Sequence, residues 1–299
     1  MSPEPPKIGL ALGGGGAKGL AHVAALEAFD DLGLRPHAIA GASIGAILGA
    51  GYGAGFSARA IRQHLLRSFR DRPEVMAKLF RTRVGRVQDL FSGGLGNPLL
   101  VDAEKILDEF WLPSMPERFE DLRLPVLVVA TDFYGRCEVV FRSGPLKAAV
   151  AASMAVPGLL RPVKIGERMF IDGVVINPVP FDRLPADCDA IIAVDVVGGP
   201  EGAVTASFPT AMDITLGASQ IMQSAIFEGK MALAGGAVHV VRPDVARFGA
   251  LDFFQVKKVL QASEPVRDQV RGLIEAAIKA AEITPSRPAF FPASGTDRG

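Results

Sequence analysis

The sequence predicts a single α/β domain with a mostly parallel central sheet and helices on both faces. Three observations carry that expectation. Strand-like apolar runs alternate with helix-length segments, two of those strands end in glycine-rich junctions that lead straight into helices, and a hydrophobic content of 49% in 299 residues supplies one large core. In chain order the strands read IGLAL (8–12), HAIAG (37–41), PVLVVATDF (125–133), CEVVF (137–141), a short run in ERMFID (167–172), AIIAVDVV (190–197) and AVHVV (237–241). Helices are expected at 17–32, 44–69, 145–154, 209–234 and 255–281, and no internal repeat is visible.

The first junction is the run KIGLALGGGGAKGLAHVAAL, residues 7–26. Gly13 to Gly16 leave their N–H groups unshielded, and the helix that follows points its positive end the same way, so an anion or a developing oxyanion belongs there. Three chemistries compete for it. A Walker phosphate loop needs Gly-Lys followed by Ser or Thr, but Lys18 stands between Ala17 and Gly19. A dinucleotide fold needs more than the G-x-G-x-x-G of Gly14, Gly16 and Gly19. Its acidic residue at the end of the second strand is replaced by small residues and a serine in HAIAGASIG, 37–45. The oxyanion hole of an acyl-transfer enzyme remains.

The second junction strengthens that reading. Gly41-Ala42-Ser43-Ile44-Gly45 has G-x-S-x-G spacing with a strand before it and a helix after it, the setting of a nucleophile elbow; the bland alternative is that Ser43 merely caps the helix. Two such junctions on sequential parallel strands open on the same sheet edge, where open α/β sheets place their sites.

A serine hydroxyl needs a base. The four histidines stand inside a helix (His22), at the start of a strand (His37), on a surface helix (His64) and in an apolar strand (His239), and each is read as structural. Asp172 is better placed, because a short strand delivers it to Gly173 and Pro178 and Pro180 keep the next stretch from becoming helical. Burial would raise its pKa toward useful basicity; an ordinary Asp-Gly turn explains the pair equally well.

Composition bounds the rest. Lys plus Arg and Asp plus Glu number 32 each, so no large field draws the chain to nucleic acid. Cys137 and Cys188 make no disulfide framework, and no His/Cys cluster has metal-ligand spacing. Neither a signal-peptide pattern nor a membrane-length apolar run is present, which predicts a cytoplasmic protein. Residues 71–101 mix Phe80, Phe91, Leu95 and Leu99 with several arginines and suit a helix pair covering the sheet edge, with a lipid-facing flap as the alternative. Residues 198–210 read as a flexible insertion near the cleft, and 1–6 and 284–299 as mobile tails.

Together the junctions resemble the patatin-like phospholipase family, especially its compact bacterial members. That family pairs G-G-G-x-[RK]-G with G-x-S-x-G and a distant D-G-[GA]; here these are Gly14 to Gly19, Gly41 to Gly45, and Asp172-Gly173-Val174, with AAVAASMAVPGLLRPV (148–163) just ahead of the last. The likeness spans roughly residues 8–185, with 186–283 completing the same domain, and it implies a three-layer patatin-like fold. It further implies a Ser43–Asp172 dyad without histidine, an oxyanion hole of Gly14, Gly15 and Gly16, support from Lys18, Gly19, Gly41, Gly45 and Gly173, and no metal or cofactor. The implied substrate is a lipid or fatty-acyl ester such as a (lyso)phospholipid, met through transient contact of residues 71–101 with the inner membrane face. Val174 stands where the family usually has glycine or alanine, putting a branched side chain beside the base. A lipid-binding or regulatory protein with little turnover, and an acyltransferase, are the alternatives on the same fold.

Overall fold

A computed structural model describes residues 5–71, 101–199, 211–235 and 237–283. Eight strands form one mixed sheet: β1 (Ile8–Leu12), β2 (Ala38–Ala42), β3 (Val126–Asp132), β4 (Cys137–Phe141), β5 (Val163–Ile165), β6 (Arg168–Asp172), β7 (Ala190–Val194) and β8 (Val238–Val241). β3, β2, β1, β7 and β8 run parallel in that order, whereas β4 and β6 pair antiparallel with β3 and β5 pairs antiparallel with β6. Helices α1 (His22–Asp31), α2 (Ile44–Gly53), α3 (Ala58–Asp71), α4 (Ala103–Phe110), α5 (Leu146–Ser153), α6 (Ala211–Ala232), α7 (Val256–Ala262) and α8 (Glu264–Ile283) complete the described elements.

The alternation of side chains along the strands divides the core in two. Leu10, Leu12, Ile39, Val128, Ile192 and Val194 face a layer of helices, with Leu26, Phe29, Leu48 and Ile274 among their buried partners. Each large apolar side chain so buried contributes about 2 kcal/mol relative to exposure. The opposite face carries small residues, Ala11, Ala38, Ala40 and Ala193, and is covered by Phe227 of α6 and by Val179, Phe181 and Leu184. Three layers result.

Two helices expected to be continuous are broken. The segment 44–69 parts between α2 and α3 at Gly55, whose φ of 96° leaves the helical region, and the Ser57 hydroxyl restarts the helix by accepting from Ala60 N–H. The segment 255–281 breaks after Ala262 because Pro265, at the second position of α8, cannot continue an incoming helix. The helix expected from residue 17 begins as a 3-10 turn, Gly16–Ala21, ahead of α1. β5 and α4 escape the sequence reading; β5 has three residues, and α4 is an eight-residue helix capped by Asp102, whose Oδ1 accepts from Glu104 N–H. The expectations for the flap or helix pair at 71–101, for most of 198–210 and for the tails fall almost entirely outside the described residues. Among those described, no helix is long and apolar enough to cross a membrane.

One topological detail positions everything that follows. β4 pairs with Val128–Asp132 of β3, so β2, opposite Val126–Val129, and β6, opposite Ala130–Asp132, must share the other edge of β3. β2 ends at Ala42 across from Val129, and the antiparallel β6 ends at Asp172 across from Ala130. The residues following the two strands therefore meet on adjacent rungs.

Candidate active site

Ser43 is the single residue between β2 and α2, held at φ 54° and ψ −123°. L-residues rarely occupy such a backbone, and holding one there costs on the order of 1–3 kcal/mol that the surroundings must supply. Gly41 and Gly45 let the turn close: a Cβ on Gly41 would stand 2.6 Å from the Gly45 carbonyl, and one on Gly45 only 2.0 Å from Leu12 O. The side chain makes no helix-capping bond. Instead Ser43 Oγ donates to Asp172 Oδ2 at 2.8 Å.

Asp172 is fully buried at the end of β6. Its Oδ1 accepts from Val174 N–H at 3.0 Å, its backbone N–H donates to Ala155 O, and its carbonyl accepts from the Thr131 hydroxyl. Burial raises the carboxyl pKa from 3.8 to about 7, against the lowering pull of the Val174 N–H and the Ser43 hydroxyl. Val174 thus aims the carboxylate through its backbone, while its side chain packs toward Gly14, where an added Cβ would lie 2.0 Å from Cγ1. Gly173 approaches β3 closely, since a Cβ there would stand 2.1 Å from Val129 O.

Sequence reasoning missed Ser153. At the end of α5, wholly buried, its hydroxyl donates to Val129 O at 2.6 Å and accepts from Ser43 N–H at 2.9 Å. It ties the strained turn to β3. The available signal was a serine in the otherwise apolar run AAVAASMAV.

The glycine loop divides by function. Gly13 N–H donates to Val194 O and Gly14 N–H to Pro178 O at 2.9 Å, so Gly14, expected as an oxyanion donor, has its N–H engaged and does not line the cavity. Pro178 offers that carbonyl because the proline-rich stretch is not helical. Gly15 and Gly16 do line the cavity beside Ser43 and Asp172, and their N–H groups have no hydrogen-bond partner among the described residues. Gly16 has φ 60° and approaches the Ala250 carbonyl so closely that a Cβ would be 2.1 Å away. Gly19 gives Ile44 of α2 the same close approach.

Two buried polar side chains brace this loop. His22 Nε2 contacts Gly13 O at 2.7 Å, and burial lowers its pKa from 6.5 to about 4, so the ring is neutral and Nε2 carries the donated proton. Lys18, 1% exposed, donates from Nζ to Val197 O at 2.5 Å, anchoring the loop to the segment after β7. His37 lies beside Asp187, His64 contacts Phe110 O, and His239 is exposed on β8. The Asp172 carboxylate is occupied by Ser43 and Val174, with no histidine against it.

Above the dyad lies a cavity of about 520 Å³. One end is apolar, built from Ile47, Leu65 and a cluster of Phe69, Phe110 and Phe253 with ring centroids 5.1–6.3 Å apart. A hydroxyl hydrogen-bonded to a carboxylate of near-neutral pKa, beside open N–H donors and an apolar chamber, can attack a carbonyl carbon while passing its proton to the carboxylate.

The site sits at the edge of a three-layer α/β sheet, where the ends of β2 and β6 meet. The family model described as Patatin-like phospholipase matches residues 10–185. The chain belongs to the patatin-like phospholipase family. It is 31% identical over 224 residues to an uncharacterized NTE family protein of Mycobacterium tuberculosis, covering 75% of this chain and 58% of that protein. It is also 31% identical over 196 residues to the neuropathy target esterase sws of Drosophila melanogaster, covering 63% of this chain and 13% of that one. The crystal structure of VipD from Legionella pneumophila superposes with a TM-score of 0.49 at 15% identity, covering 92% of this chain and 68% of that chain.

Proposed function

We propose that the chain is a carboxylic-ester hydrolase that cleaves acyl esters of lipids, (lyso)phospholipids or related molecules, through an acyl-enzyme on Ser43. The observation that carries the proposal is the 2.8 Å contact between Ser43 Oγ and the buried Asp172 carboxylate. Ser43 Oγ attacks the ester carbonyl and Asp172 takes its proton; the tetrahedral oxyanion accepts from Gly15 and Gly16 N–H, and Gly14 holds the loop in register. Collapse expels the alcohol, which takes the proton back from Asp172. A water then gives a proton to the same carboxylate as its oxygen attacks the acyl carbon, and Ser43 recovers that proton as the fatty acid leaves. With a pKa of about 7, Asp172 is about half ionised at neutral pH and basic enough to accept a proton.

The neuropathy target esterase relative and the apolar chamber both support an acyl-ester substrate. The test is fluorophosphonate labelling followed by peptide mapping, together with hydrolysis of a lipid panel. Labelling confined to Ser43, with release of fatty acid, is the expected result; an unlabelled, inactive protein would leave a binding role on the same fold.

A further inference from the structure

The stretch from Asp172 to Pro178 joins the two halves of the site. Its first residue is the carboxylate that accepts from the Ser43 hydroxyl, and its last offers the carbonyl that holds Gly14 N–H at 2.9 Å. Pro178 has no N–H by which it could itself be held. Asn177, just before it, supplies the hold. Its backbone N–H donates to Gly173 O at 2.9 Å and closes the turn in which Val174 N–H reaches Asp172 Oδ1.

The Asn177 side chain is wholly buried, and its Nδ2 donates to two carboxylates, Glu138 Oε1 at 2.9 Å and Asp182 Oδ1 at 2.8 Å. Two acceptors on one side fix which way the amide faces, because the reversed group would set its oxygen against both of them. The amide oxygen is left buried with no hydrogen-bond partner among the described residues. A side chain that leaves one end unsatisfied in the interior is there for its other end.

The two carboxylates are themselves fixed. Arg183 grips Glu138 through Nε at 2.9 Å and Nη2 at 2.7 Å, and Lys230 Nζ reaches Asp182 Oδ2 at 2.8 Å, so acids and bases balance around the amide. Glu138 comes from β4, Asp182 and Arg183 from the 3-10 turn after Pro180, and Lys230 from the last turn of α6. Separate parts of the chain converge on one amide. None of these residues lines the cavity above the dyad.

Resting on the esterase reading above, we infer that Asn177 is the positioning residue that keeps the Asp172 carboxylate and the glycine loop in register, with Glu138, Asp182, Arg183 and Lys230 as the frame from which it is held. It touches neither the apolar chamber nor the reacting atoms, so its loss misaims the base and the oxyanion donors and leaves binding alone. The Asp172 pKa follows the same turn. Burial raises it, the Val174 N–H and the Ser43 hydroxyl lower it, and a loosened turn gives up the lowering contact of Val174.

The experiment measures kcat, KM and the pH midpoint of kcat/KM for 4-nitrophenyl octanoate in the wild type, Asn177→Ala and the double variant Asp182→Ala/Lys230→Ala, with melting temperature and Ser43 fluorophosphonate labelling on each protein. Every protein is assayed well below its own melting temperature. Asn177→Ala is expected to lose about thirtyfold in kcat with KM within about twofold, and its pH midpoint should move upward. The double variant removes one acid and one base together from partly exposed positions, keeping the net charge. It should lose about threefold in kcat with KM unchanged, and it carries the test if Asn177→Ala does not fold. A folded Asn177→Ala protein with wild-type kcat and pH midpoint, or one that raises KM and keeps kcat, overturns the positioning role alone. A wild type that neither labels nor hydrolyses the ester overturns the esterase reading beneath it.

Discussion

At the scale of single residues, the site rests on a few atoms whose roles separate cleanly. In the proposed mechanism Ser43 supplies the attacking oxygen, and Ser43→Ala should lower ester hydrolysis by about a hundredfold or more in a protein that still folds, since the oxyanion donors and the cavity stay in place. Val174 departs from the family pattern yet reaches Asp172 through its N–H, which any non-proline residue supplies. Val174→Ala should therefore keep kcat within about threefold while costing about 2 kcal/mol of stability from the lost packing against Gly14 and Val129. Urea denaturation and steady-state kinetics on the one variant check both halves. Ser43, Asp172 and the glycines were legible in the sequence because strand-turn-helix context limits what such a serine can do. The engagement of Gly14 was not, because its partner, Pro178 O, is distant in the chain and a backbone carbonyl leaves no side-chain signal.

At the scale of elements, the dyad is a consequence of strand pairing. β2 and β6 share one edge of β3, so their ends meet whatever lies between them in sequence. The alternating apolar runs made the parallel strands readable, but β6 joins antiparallel, a relation that neither periodicity nor spacing encodes. α5 supplies the missing brace, with Ser153 bonded to both Ser43 N–H and Val129 O. Ser153→Ala should lower kcat about tenfold with KM little changed, since the loosened turn misaims the nucleophile without touching the apolar chamber. Its pH profile should also shift upward, because the Ser43 hydroxyl that lowers the Asp172 pKa is no longer held in line. Displacing a proposed oxyanion donor has a different cause and the same sign: Gly15→Ala keeps the N–H but puts a Cβ 2.6 Å from Val196 O, which should shift the loop and cut kcat by roughly a hundredfold. The breaks after α2 and α7 went unread because hydrophobic periodicity continues across them, and only Gly55 and Pro265 mark them.

At the scale of the whole molecule, two buried groups pull stability in opposite directions with pH. Asp172 has its pKa raised from 3.8 to about 7 on folding, so its contribution is complete below 3.8 and is lost as pH rises toward 7. His22 has its pKa lowered from 6.5 to about 4, so its contribution is complete above 6.5 and is lost as pH falls toward 4. Across the shared window the two trends offset one another in the wild type. Asp172→Asn removes the first and leaves the second: the variant should be the more stable protein at pH 7 and should lose that advantage as pH falls toward 4, measured as the difference in melting temperature. A stability gain from deleting the proposed base is the expected signature of a functional group held against its own preference. The central claim, that Asp172 alone activates Ser43, is tested most directly by the rate of fluorophosphonate labelling of Ser43 as a function of pH, in the wild type and in Asp172→Asn. The wild-type rate should climb through one ionisation near pH 7, and the variant should be slow and flat across the same range. An Asp172→Asn protein that labels as fast as the wild type, along the same pH curve, would contradict it.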